Sequence, residues 1–182
     1  MNLIFIVFFV MGINAQGGSN GQSIIDWDSA RKLRWTDFKG KVDPNKFGSA
    51  MTSHKIEILP TNVLVDENDN IQNYEQMTVE AQFFTNKSWT TSNNNDILKH
   101  EQLHFDIAEL YARKIRKRFE ELKSDGVATF SKYQECYTIF WKECRKIQKQ
   151  YDNETSHGQY KNVNQRWATN ITNQLEELKG FE

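Results

Sequence analysis

Near Thr90 the chain changes rhythm, and that change limits the folds open to it more than any other feature. Upstream, residues 74–85 alternate: Met77, Val79, Ala81 and Phe83 fall on one side, Thr78, Glu80 and Gln82 on the other. A period of two marks a half-buried strand with one wet face. Residues 49–59 and 63–65 share that β character, interrupted by Pro60, and Glu67-Asn68-Asp69-Asn70 reads as a polar turn. Downstream, Thr91-Ser92-Asn93-Asn94-Asn95-Asp96 is rich in N-cap residues. From there residues 96–123 carry Ile97, Leu103, Ile107, Leu110, Tyr111, Ile115, Phe119 and Leu122 at helical spacing, and Ser124-Asp125-Gly126 closes the helix. A second helix is predicted over 130–151, a loop over 152–158, and a third helix over about 160–178. Strands first and helices afterwards predict an α+β fold: a small, largely antiparallel N-terminal sheet followed by three main helices.

Composition narrows the partners. At 182 residues one domain is expected, and Lys+Arg 23 against Asp+Glu 24 leaves a charge of −1. Phosphate backbones are bound by a basic excess, so nucleic acid is not an expected partner. The basic run Lys114, Arg116, Lys117 and Arg118 reads instead as a solvated helix face. Two cysteines exclude a disulfide framework. Cys136 and Cys144 lie in one predicted helix, about 12 Å apart along its axis, which is too far for a bridge.

Leu3 to Ile13 is almost wholly apolar, yet shorter than the ~20 residues that span a bilayer. It fits a signal peptide over residues 1–15, cut after Ala15, with a flexible Gly/Ser/Asn/Gln leader over 16–23. The remaining 24–182 would form one exported domain, secreted or periplasmic, with no membrane span after signal removal.

His100-Glu101-Gln102-Leu103-His104 places HExxH in the most strongly helical part of the chain. Two histidines four apart lie about 40° apart around a helix, so both imidazoles can reach one ion. Zn2+ suits them, and Glu101 lies close enough to act as general base on a zinc-bound water. The third ligand must come from another segment. Asp106 and Glu109 sit about 140° or more around the helix from His104. Ile107 and Leu110 occupy the places where an extended motif carries Gly and His. The other two histidines are His54 and His157, and a carboxylate from Glu135, Glu143, Asp152 or Glu154 would also serve.

The run His100-Glu101-Gln102-Leu103-His104-Phe105-Asp106-Ile107-Ala108-Glu109-Leu110-Tyr111-Ala112-Arg113 resembles a bacterial family catalogued as a domain of unknown function and described as secreted, zinc-dependent proteases. Trp35-Thr36-Asp37-Phe38-Lys39-Gly40, Ala50 with Thr52, Ser88-Trp89, Tyr151 to Gly158, Gln165 and Trp167 extend the resemblance over about residues 27–178. It implies a zincin-like fold, with HExxH on the first long helix, and peptidase activity. Within it, the loop Glu154-Thr155-Ser156-His157-Gly158 reads as the second half of the site. His157 is then the first choice for the third ligand, Glu154 the second and His54 the third. Tyr111, two turns beyond the motif, and Trp89, just before the helix, are possible pocket residues, though packing explains both.

The expectation is an exported zinc-dependent hydrolase, most simply a metallopeptidase acting on a peptide or protein substrate. Its rivals are a non-catalytic zinc- or partner-binding domain of the same fold and a zinc amidase acting on cell-wall peptides.

Overall fold

The computed structural model describes the backbone of Phe5–Phe8 and all of residues 23–45 and 48–182. Among these residues seven strands precede three α-helices: β1 (Phe5–Phe8), β2 (Ile24–Asp26), β3 (Ala50–Met51), β4 (His54–Leu59), β5 (Asn62–Val65), β6 (Thr78–Phe84), β7 (Trp89–Thr90), α1 (Asn95–Ser124), α2 (Phe130–Thr155) and α3 (Lys161–Glu177). The main sheet has three strands in the order β2-β6-β4, both pairings antiparallel. Two smaller antiparallel pairs, β1-β5 and β3-β7, flank it. The α+β architecture read from the sequence is the one observed.

The expected alternation in β6 is present, with Val79, Ala81 and Phe83 buried and Thr78, Glu80 and Gln82 partly exposed. Its inward face meets Ile56 and Ile58 from β4 and Phe105, Ile107 and Ala108 from α1 in one core. Phe38, Phe83 and Phe105 form a ladder with ring centroids 5.2 and 5.8 Å apart. Burial of such side chains contributes about 1.5–3 kcal/mol each, which is what seats α1 on the sheet.

Asn94 caps α1, its side chain accepting from the Asp96 N–H. Gly126, at φ +68, lets the chain leave the helix in the left-handed region. The return is antiparallel: Phe119 meets Tyr133 at one end, with centroids 4.9 Å apart, and His104 meets Gln148 at the other. This pairing sets the site, because it lays the last turns of α2 beside the motif on α1.

Two N-terminal expectations concern residues of which little is described. The backbone of Phe5–Phe8, within the expected signal peptide, pairs with β5; the rest of that peptide and residues 16–22 of the expected leader lie outside the described residues. Ser23, the last leader residue, is docked, its carbonyl accepting from the Thr85 N–H and hydroxyl. No helix among the described residues is long and apolar enough to cross a membrane.

Candidate metal centre

His100 and His104 lie one turn apart on α1, and both are buried. Facing them, Gln148 and Asp152 lie one turn apart on α2. The site is therefore a pair of i, i+4 couples on two antiparallel helices. His100 Nε2 is 3.1 Å from Asp152 Oδ1, His104 Nε2 is 3.0 Å from the same oxygen, and the two Nε2 atoms are 3.2 Å apart. Three ligand atoms thus converge on one point, and His100, His104 and Asp152 form the one group of potential metal ligands among the described residues.

The donor set fits a cation. A tetrahedral zinc with bonds of about 2.0–2.1 Å keeps its ligand atoms roughly 3.3 Å apart, close to the separations here. Two imidazoles and one carboxylate are ligands zinc accepts, and other first-row divalent metals accept them too. Burial alone would raise the Asp152 carboxyl, but hydrogen bonds and charge from His100 and His104 outweigh it and hold the group well below the usual carboxylate range. Burial depresses His100, whereas for His104 the carboxylates of Asp152 and Glu101 overcome burial and raise it. Asp152 is the anion of the trio.

Glu101 lines the same pocket, a cleft of about 230 Å³ bounded also by Ala50, Met51, Thr52 and Ile97. Its side chain is buried, and Oε2 has no hydrogen-bond partner among the described residues. An orphaned buried acceptor is costly unless something polar comes to it, so its place beside three ligand atoms is informative. Thr52 Oγ1 donates to the Glu101 carbonyl at 3.1 Å and ties the pocket wall to the helix.

A further layer holds these groups. The Tyr151 ring stacks under His100, 4.5 Å between centroids. Gln148 Oε1 accepts from His104 Nδ1, while its amide nitrogen donates to the His104 carbonyl at 2.8 Å. Gly158 passes so close that a Cβ there would lie 2.9 Å from His100 Cβ and Cγ, and its φ of +82 also favours glycine. Gln148 is absent from the sequence reading of the site, and Gly158 enters it only as the end of the loop Glu154–Gly158. Gln148 was findable, since it stands four residues before Asp152, but only to a reading that carried the helix through 152.

The residues expected to complete the ligand set divide as follows. His157 lines the pocket, with Nδ1 3.4 Å from Asp152 Oδ1, but stands outside the converging group. It is displaced because α2 runs on to Thr155 and the left-handed residues Ser156, His157 and Gly158 then turn the chain away. Glu154 points to the other side of α2, where Oε2 accepts from Trp167 Nε1 and Oε1 from Gln150. His54 borders the pocket behind Gln148, its Nε2 3.2 Å from the Gln148 amide nitrogen. Burial, with the nearby His104, pushes its imidazole down to about 4. Glu135 lies beside Lys132 on the surface.

The two suggested pocket residues do not line the cleft. Tyr111 is covered by α2 and α3 and borders a separate depression with Ile147, Val163 and Trp167. Trp89 is buried in β7 opposite Met51. Asp106 and Glu109 do point elsewhere: Asp106 accepts from Trp27 and Gln102, and Glu109 pairs with Arg113 and Arg116.

Residues 73–158 match the family described as "Bacterial protein of unknown function (DUF922)". The match begins just before β6 and ends at Gly158, so it takes in every residue of the converging group, together with Glu101, Gln148 and His157. No curated protein and no solved structure matches the chain.

Proposed function

We propose that the protein is a zinc-dependent hydrolase of amide or peptide bonds. The observation that carries this reading is the convergence of His100 Nε2, His104 Nε2 and Asp152 Oδ1 in one cleft with the unpartnered, buried carboxylate oxygen of Glu101. His100, His104 and Asp152 would hold the ion. Bound there, zinc supplies a Lewis acid that polarises a carbonyl and acidifies water. Glu101 takes a proton from the attacking water and returns it to the leaving nitrogen, the role its free oxygen suits. Gln148 and Tyr151 hold the two imidazoles in place, which limits motion of the site during the reaction. Three protein ligands beside a cleft support a catalytic site, since structural zinc is closed by four. An exported domain acting on peptides outside the cytoplasm fits the apolar N-terminal run.

The test is Glu101→Gln. Purified wild type should carry zinc and cut members of a peptide library; the variant should keep its zinc and lose at least ~10²-fold in rate. Full activity in the variant would remove Glu101 from the chemistry. Zinc bound with no hydrolysis by wild type would place the protein with the non-catalytic binding domains.

A further inference from the structure

Gln148 is a buried polar side chain whose amide can be oriented from its neighbours. The His104 carbonyl can only accept, so the Gln148 atom 2.8 Å from it is the amide nitrogen. The other atom is then the carbonyl Oε1, which can only accept, and it faces His104 Nδ1. Nδ1 must therefore bear the proton, and in the neutral ring the lone pair falls on Nε2. Nε2 is the atom that faces Asp152 Oδ1 at 3.0 Å. Two lone pairs at that distance require a cation or a proton between them.

The second amide hydrogen of Gln148 has a taker as well, His54 Nε2 at 3.2 Å, from the first residue of β4. A glutamine rotated by 180° would set its oxygen against the His104 carbonyl, which can only accept. In the tautomer protonated at Nδ1, His54 Nε2 accepts and favours the same orientation of the amide, although it lies outside the group of ligand atoms.

We infer that Gln148 is a positioning residue for the metal centre, fixing His104 in the tautomer that turns its Nε2 toward the ion, and that His54 orients Gln148. The inference rests on the metal site proposed above. It ascribes to a neutral amide on α2 the part that a carboxylate or backbone carbonyl commonly plays behind a ligating histidine.

Zinc affinity of the chelator-stripped full chain, measured by competition with a chromophoric chelator, tests it. Gln148→Leu should weaken binding about 10–100-fold, the usual effect of losing such a partner, while Gln148→Glu, which as a neutral carboxylic acid keeps an acceptor for Nδ1 and a donor to the His104 carbonyl, should lose less than about tenfold. His54→Leu should weaken binding less than Gln148→Leu and add nothing in that background, because it acts only through the amide. Thermal unfolding without metal reports whether each variant folds, and Gln148→Ala replaces the leucine variant should that one not fold. Equal losses for the Glu and Leu variants, or wild-type affinity in Gln148→Leu, would overturn the inference while leaving the metal site standing. Failure of the wild type itself to take up zinc would remove both.

Discussion

Gly158→Ala isolates the closeness of the α2–α3 turn to the motif helix. Two costs add at this position. The backbone is left-handed at φ +82, where an alanine is disfavoured by about 1 kcal/mol. The new methyl would also lie 2.9 Å from His100 Cβ and Cγ. His100 cannot give way easily, being stacked on Tyr151 and hydrogen-bonded to Asp152. Overpacking of this kind costs about 1–3 kcal/mol, so the sum is about 2–4 kcal/mol, or roughly 5–15 °C in melting temperature for a chain of this size. Gly126→Ala is the matched control, since its φ is +68 and nothing lies within 4 Å of its added carbon. It should lose only the backbone cost, about 1 kcal/mol. Thermal melts and urea titrations of both metal-free variants measure the difference. Equal losses would refute the claim that the turn is braced against His100, and with it the account of how the site is held.

Glu109→Gln should destabilise by about 1–3 kcal/mol in urea unfolding, because Arg113 and Arg116 lose their shared buried carboxylate and keep Glu182 and backbone carbonyls as partners. Lys179→Ala, at an exposed pair with Glu176, should leave the midpoint unchanged. Burial pushes Cys144 up to about 12 and Cys136 up to about 11. At pH 8 both should react with a disulfide reagent at least ~10²-fold more slowly in the folded chain than after unfolding, with both thiols titrated at the end. Export predicts a product whose first residue is Gln16 by N-terminal sequencing; a retained Met1 in a membrane fraction would contradict it.

Local features of the site were legible in the sequence and distant ones were not. His100, Glu101 and His104 follow from one helix and its period, and that helix is long, capped by Asn94 and closed by Gly126. Asp152 was named only among four candidate carboxylates. Asp152-Asn153-Glu154-Thr155 has the composition of a loop, yet it is the last turn of α2. There the Thr155 hydroxyl donates back to the Tyr151 carbonyl, and the chain turns only at Ser156. Moving the helix end by four residues carries a side chain round a full turn, which is the difference between Asp152 in the converging group and His157 outside it. In the basic run on α1, Lys117 and Arg118 are exposed as expected, and Arg116 departs for a related reason. Arg116 folds inward to Glu109 and the Val79 carbonyl, contacts that depend on where β6 and the C-terminus lie. Tyr111 shares the motif's face, but α3 covers that face two turns on, which helical periodicity cannot report.

Calorimetric titration of zinc into the chelator-stripped chain, alongside elemental analysis of the protein as purified, tests the metal centre most directly. The account predicts one equivalent bound by wild type. His104→Ala and Asp152→Ala should each lose most of the affinity, and His157→Ala should keep it because its ring stands outside the converging group. Saturation at 100 times Kd should stabilise the wild type by about 2.7 kcal/mol. Zinc bound equally well by Asp152→Ala, or lost in His157→Ala, would contradict the ligand set drawn from the two antiparallel helices.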